Sequence, residues 1–260
     1  MTLSIEALSA ELFAARRNVA AVPALTERFP EITIEDAYRI QLMMVERRCK
    51  EQGERIVGKK IGVTSKPVMD LFNVDEPDFG FITSDMMVDC GADIEASSLI
   101  APKVEGEIAF MLGRALAGPD VTAQDVLAAT ELVLPCLEVV DSRVVDWKIC
   151  IQDTVADNAS SAMVVLGDMA VRPADIDLVL AGMSLEVNGV LKSTGAGAAT
   201  MGHPAEAVAW LARTLHTYGI ALEEGEIVLS GSLGAMLPVV RGDYVRMAVS
   251  GLGSADVHFV

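Results

Sequence analysis

The sequence predicts an α+β fold. Helical periodicity dominates the segment before Arg55, β-like segments dominate after it, and the two kinds do not alternate strictly as a doubly wound sheet would require. No internal repeat or low-complexity linker divides the 260 residues. A single domain is therefore expected, 1–260, with a helical part over about 1–54 and a β-rich core over about 55–260.

Residues 4–17 (SIEALSAELFAARR) place Ile5, Leu8, Leu12 and Ala15 on one helical stripe. Pro23 and Pro30 mark a loop. A second helix begins at Thr33, where T-I-E-D has the form of a capping box, and runs through Ala37, Ile40, Met44 and Arg48 toward Gly53. RIVGKKIGVTS, from Arg55, is β-like, and Ser65 caps a short helix holding Pro67, Met69 and Leu71. NVDEPDFGFITSDMMV gathers Asp75, Pro77, Asp78 and Gly80 and reads as a loop. PKVEGEIAF (Pro102–Phe110) is a strand, Thr122 to Asp125 opens a helix reaching about Leu132, and LVLPCLEVV is a buried strand.

Residues 141–161 fit neither period, and their polar side chains suit the lining of a site. Strands at Leu178–Val187 and near Val190 are joined by Asn188-Gly189, a hairpin signal. STGAGAATMGHP leads into a helix from Pro204 to Tyr218, closed by Gly219. Strands follow at Glu226–Ser230, Asp243–Val249 and Asp256–Val260.

With 52% hydrophobic residues the chain can bury a sizeable core, which excludes general disorder. A formal charge of −17, with Lys and Arg scattered singly or in pairs, excludes nucleic acid as a partner. No uninterrupted apolar run reaches the length of about 18 that spans a membrane. The opening stretch is amphipathic and acidic, with Glu6 and Glu11, unlike a secretory signal. Cys49, Cys90, Cys136 and Cys150 form no CxxC pair and have no His at zinc-ligand spacing, so a cytoplasmic protein with reduced thiols is expected. The high apolar fraction with 5% aromatics points to burial between subunits as well as within them.

The chemistry centres on carboxylates. The strand period of PKVEGEIAF puts Val104, Gly106, Ile108 and Phe110 on one face and Glu105 and Glu107 side by side on the other. Spacing alone also suits a solvated strand face. Glu138 argues against that, because it is the only charge in the run Leu132–Val140 and a buried strand carries it inward. Like charges buried together need neutralising, and three oxygen ligands without His or Cys select a hard cation, Mg²⁺ or Mn²⁺.

Lys59 and Lys60 take opposite faces, so one points inward, where it would bind a substrate carboxylate or polarise a keto oxygen; two solvated lysines fit the same spacing. GAGAATMG lacks the following Gly-Lys-Ser/Thr of a phosphate loop and serves packing or a turn. His203, His216 and His258 occupy structural positions, no GxSxG is present, and Cys136 reads as a packed thiol.

Together GKKIGVTSK, EPDFG, PKVEGEIAF, LEVVDSR, DTVADNAS, TGAGAA, GHP, LSGSL and GLGSADVHF resemble the 2-hydroxypenta-2,4-dienoate (2-oxopent-4-enoate) hydratases of meta-cleavage pathways for aromatic compounds, in the fumarylacetoacetate hydrolase superfamily. The resemblance runs from about Glu31 to Val260. It implies a mixed sheet rolled into a barrel, and Mg²⁺ or Mn²⁺ held by an ExE pair and a later Glu, here Glu105, Glu107 and Glu138. It further implies catalytic roles for Lys60, the second lysine of GKK, and for Asp78 of EPDFG, with Lys60 and Ser160 of DNAS near the substrate. That substrate would be a small 2-hydroxydienoate, hydrated to 4-hydroxy-2-oxopentanoate.

The 4-oxalocrotonate decarboxylase branch shares the metal triad and the lysine. It typically has an aliphatic residue where this chain has Asp78, and its segment after DSR differs from DWKICIQDTVADN. A sister hydratase for a seven-carbon dienedioate has a longer insertion before its DT-x-x-DN segment, so the five-carbon dienoate or its simple alkyl homologues are expected here. Similar hydratases associate with the decarboxylase of the preceding step, which implies a possible complex and, as an alternative, a non-catalytic partner subunit. Glu105, Glu107, Glu138, Lys60 and Asp78 are all present, against loss of catalysis.

Overall fold

The computed structural model describes residues 3–260; Met1 and Thr2, at the start of the expected helical part, lie outside the described residues. Helices α1 (Ile5–Asn18), α2 (Leu25–Arg28) and α3 (Ile34–Gln52) come first. The capping box of α3 is formed: Asp36 N–H donates to Thr33 Oγ1, Thr33 N–H donates to the Asp36 carboxylate, and Gly53 ends the helix at φ 72°. Strand β1 (Ile56–Gly62) leads to α4 (Lys66–Phe72), which buries none of its residues.

The next segment differs from the expected loop. Strand β2 (Asp78–Thr83) is buried along its whole length and pairs antiparallel with β1 from Gly62↔Asp78 to Ile56↔Thr83. Asp75 and Pro77 precede the strand, but Asp78 and Gly80 lie within it, and burial on both faces removes the alternation that marks a half-buried strand.

Strands β3 (Met87–Val88) and β4 (Asp93–Ile94) are short, whereas β5 (Lys103–Leu112) and β6 (Thr130–Val140) form the long central pair. Between them α5 (Ala123–Ala129) stops short of Leu132, because Thr130 already turns extended and its hydroxyl donates to the Val126 carbonyl. Helix α6 (Ile151–Ala156) lies inside the segment expected to be irregular, and β7 (Ser161–Leu166) follows.

The hairpin of β8 (Gly182–Val187) and β9 (Val190–Ala196) turns on Asn188 and Gly189, both at positive φ, and starts later than the expected Leu178. In α7 (Pro204–Thr217) the His203 ring caps the helix start, with Ala205 N–H donating to Nδ1 at 2.9 Å. Strands β10 (Ile227–Leu229), β11 (Leu237–Pro238), β12 (Tyr244–Val249) and β13 (Gly253–Phe259) complete the chain.

The main sheet has the order β2-β1-β10-β5-β6-β7-β3, with β11 also on β5. It is mixed, because β1–β10 and β3–β7 are parallel among antiparallel neighbours. Five steps separate β2 from β7, roughly 24 Å in a flat sheet at a spacing of about 4.8 Å. Residues of these strands nevertheless approach within 8 Å, so the sheet curls into a half-barrel. A second sheet, β4-β13-β12-β8-β9, packs on its outer face, where Gly106 leaves room for Met183 and Met247.

Alternation along the strands assigns two environments. Outward residues such as Val104, Ile108, Phe110, Leu137, Val139 and Val228 join the large core shared with the helices and the second sheet. Inward residues Ile82, Ala109, Cys136, Val164, Ile227 and Leu229 form a separate apolar cluster inside the half-barrel. The same inward rows continue into Asp78, Lys60, Glu105, Glu107 and Glu138. The barrel interior is thus apolar at one end and charged at the other.

Candidate active site

Glu105 and Glu138 are direct partners across the antiparallel β5–β6 ladder, and Glu107 stands two residues along β5, opposite Cys136. One oxygen of each carboxylate lies within 4.8 Å of the others; Glu107 and Glu138 are buried and Glu105 is partly shielded. Gly231 N–H donates to Glu107 Oε2 at 2.8 Å, whereas both Glu138 oxygens are buried without a hydrogen-bond partner. Buried acceptors are ordinarily satisfied. Three converging hard oxygens, one from each glutamate, together with a Glu138 carboxylate that accepts no hydrogen bond, fit an oxygen-seeking divalent cation and not the His/Cys sphere of zinc.

Strands β1 and β2 supply the rest. Lys60 Nζ lies 3.3 Å from Glu138 Oε2. Gly62 pairs with Asp78, and a β-carbon on Gly62 would collide with Asp78 Oδ1 and stand 3.5 Å from Lys60 Nζ. The bare glycine lets the acid and the ammonium share one spot. Asp78 Oδ1 is itself buried without a partner.

Four carboxylates therefore face one ammonium. Burial pushes Glu105 up to about 7, with the charges of Glu138 and Asp78 adding to it and Lys60 opposing. Burial, and then Glu138 and Glu105, push Glu107 well above the usual carboxylate range. Burial also raises Asp78, against the pull of Lys60. For Lys60 burial works against the charge, but Glu138, Asp78, Glu105 and Glu107 together outweigh it and hold the pKa above its ordinary value. Lys60 is a fixed cation, while Glu105, Glu107 and Asp78 hold protons readily.

The expectation that one of the two lysines points inward is incomplete, since both are buried. Lys59 enters the outer core, where Nζ meets both Glu226 oxygens at 2.5 Å and lies 5.9 Å from the Phe81 ring centroid. Glu226 carried no signal in the sequence beyond its acidity. Cys136 is a packed thiol, as expected. Burial, and then Glu107 and Glu138, raise its pKa.

Ser160 is buried and its hydroxyl neighbours Thr154 Oγ1 at 3.4 Å, rather than bonding to a carboxylate or to Lys60. Asn158, Ala159 and Ser160 all have positive φ, and the Asn158 amide bonds the Phe81 N–H and carbonyl, both at 2.8 Å. This turn supports β2 close to Asp78. The other polar residues of 141–161 mostly brace the chain. Arg143 pairs with Asp157, Asp153 accepts from Thr26, and Asp141 accepts from Ile100 and Ala101 N–H. Burying these groups in mutual hydrogen bonds, not an open lining, accounts for their density there.

A curled mixed sheet that gathers three carboxylates, a lysine and an aspartate inside it defines a class of α+β enzymes built around a divalent-cation site. The chain belongs to the fumarylacetoacetate (FAA) hydrolase C-terminal family, whose sequence model matches residues 47–260. It is 56% identical over 218 residues to 2-hydroxypent-2,4-dienoate hydratase of Pseudomonas putida, covering 84% of this chain and 98% of that protein. It is 51% identical over 257 residues to 2-hydroxyhexa-2,4-dienoate hydratase of Comamonas testosteroni, covering 98% and 97%. Its structure is similar to that of 4-oxalocrotonate decarboxylase from Pseudomonas putida G7 complexed with magnesium and adipate, with TM-score 0.96 and 37% identity over 100% of this chain and 99% of that one.

Proposed function

We propose that the chain is a metal-dependent hydratase that adds water to 2-hydroxypenta-2,4-dienoate, giving 4-hydroxy-2-oxopentanoate, in the meta-cleavage degradation of aromatic compounds. The observation that carries the reading is the buried ion pair of Lys60 Nζ with Glu138 Oε2 at 3.3 Å, with the unpartnered Asp78 Oδ1 beside it across Gly62. Relatives named as hydratases of five- and six-carbon dienoates support the substrate class.

Glu105, Glu107 and Glu138 would hold Mg²⁺ or Mn²⁺, which supplies Lewis-acid charge at the 2-oxygen and C1 carboxylate of the substrate. Lys60 Nζ binds the carboxylate or keto oxygen and offsets negative charge as the dienolate develops. Asp78, raised by burial, holds a proton at its carboxyl and exchanges it through water: it gives a proton to C5 and is reprotonated by the proton leaving the 2-hydroxyl, after which water adds its hydroxyl at C4 and its remaining proton passes to C3. Ser160 stands on the substrate side of the site, in the buried turn that braces β2.

A second reading, decarboxylation of 4-oxalocrotonate, is favoured by the similarity to the decarboxylase structure. Asp78 argues for hydration, because water addition needs a proton-handling group whereas loss of CO₂ needs chiefly an electron sink. Following decay of dienol absorbance, alongside CO₂ release from 4-oxalocrotonate, tests one reading against the other.

The helical part and the metal-binding core are read as one catalytic unit. Gln41 of α3, which donates to the Phe79 and Val155 carbonyls, supports this. Exposed Val190, Leu191, Leu180 and Val240 support a homo-oligomer, and the similarity to a decarboxylase structure supports a complex with the decarboxylase of the preceding step. A cytoplasmic location is supported by four free cysteines.

A further inference from the structure

The candidate site is assembled from two halves of the main sheet. Lys60 and Asp78 stand on β1 and β2, and the three glutamates on β5 and β6. Only β10 lies between the halves, and its ladder to β1 consists of three residue pairs, Gly58↔Ile227, Lys59↔Val228 and Lys60↔Leu229. Because β2 ends the strand order, β10 is, among the described residues, the sole strand whose ladders tie Lys60 to the carboxylates it must face.

Glu226 stands immediately before β10 and reaches across this seam. Its backbone carbonyl accepts from Leu112 N–H of β5 at 3.0 Å, and its side chain takes Lys59 Nζ of β1. Glu223 N–H donates to Glu226 Oε2 at 2.9 Å and fixes the carboxylate. On the other side Lys59 lies against Phe81 of β2. The pair therefore links β2 and β1 to β5 from the outer face, one residue away from Lys60 on the inner face. An apolar pair would fill the same space without desolvating two charges, so stability alone does not explain an ion pair here, whereas its directionality does.

We infer that Lys59 and Glu226 form a positioning clamp that holds Lys60 and Asp78 in register with Glu105, Glu107 and Glu138. The inference rests on the hydratase reading for its kinetic consequence. Neither residue touches substrate. A displacement of about 1 Å between reacting groups costs about 10²-fold in rate, which is the scale the clamp guards.

The test uses Lys59→Met/Glu226→Gln, which buries no unpaired charge, and Lys59→Arg, which keeps the pair; a pocket lined by Leu42, Val45 and Ile220 leaves room beside Lys59 for the longer side chain. Circular dichroism and thermal melting check the fold, and calorimetry measures Mg²⁺ affinity and the binding of 2-oxopentanoate in the presence of Mg²⁺. The double variant should stay folded and keep Mg²⁺ affinity within about twofold, yet lose about tenfold or more in kcat and about threefold or more in 2-oxopentanoate affinity. Lys59→Arg should retain both within about threefold.

Unchanged kcat and 2-oxopentanoate binding in a folded double variant would overturn the clamp. So would Mg²⁺ affinity that falls in step with kcat, since the pair would then support the whole sheet. A wild-type protein inactive on the dienoate would refute the hydratase reading instead, and 2-oxopentanoate binding would decide the clamp on its own.

Discussion

Lys60 Nζ stands 3.3 Å from Glu138 Oε2, an ion pair wholly enclosed by the half-barrel. Glu138 faces Glu105 across β6 and β5, so Lys60 is the charge that joins the Asp78 side of the site to the glutamate side. Removing the ammonium while keeping the bulk, as in Lys60→Met, should cut kcat for the dienoate by about 10²-fold or more. Mg²⁺ affinity should be kept or tightened, because one positive charge fewer competes for the carboxylates. Steady-state kinetics with calorimetry on the same sample checks both arms.

Asp78→Asn keeps shape and removes the exchangeable proton. Hydration should fall by about 10²-fold or more, the usual scale for a general acid–base group, with metal binding intact. Unchanged hydration in this variant would remove Asp78 from the proton transfers.

Glu105→Gln and Glu138→Gln should act on the cation first. Metal affinity should weaken by more than about tenfold, since even partners outside the coordination sphere have effects of that size. Activity should return in part at high metal concentration. A metal titration identical to wild type in both variants would refute the triad.

The raised carboxyl pKa values set a pH dependence. Glu105 is held at about 7 by burial against an ordinary 4.5. Below 4.5 the group is protonated folded or unfolded, and its stabilising contribution is fully present. As pH rises through about 7 the unfolded chain ionises more easily, and that contribution is lost. In chelator the Tm should therefore fall over this window. Added Mg²⁺ should raise it most at the upper end, where cation binding displaces fewest protons. A flat Tm in chelator across the window would contradict a site of crowded, protonated acids.

Much of this was readable from residue order. The period of two at Glu105 and Glu107 and the lone charge in the apolar run of Glu138 located three inward carboxylates, because sheet alternation is a local property of the chain. The capping box at Thr33 and the hairpin at Asn188-Gly189 are equally local, and both formed. Strand β2 was hidden because burial on both faces erases alternation, so Asp78 looked like a loop residue. The pairing of Lys59 with Glu226 joins residues 167 apart in sequence, and such a partner is decided by strand order, which no local pattern encodes. The role of Gly62 likewise depends on its register with Asp78.

The most direct measurement incubates the purified protein with Mg²⁺ or Mn²⁺ and, in separate reactions, 2-hydroxypenta-2,4-dienoate and 4-oxalocrotonate, following dienol absorbance and CO₂ release. The hydratase reading predicts metal-dependent loss of dienol absorbance with formation of 4-hydroxy-2-oxopentanoate, and no enzyme-dependent CO₂. CO₂ release from 4-oxalocrotonate with the dienoate left unchanged would contradict it.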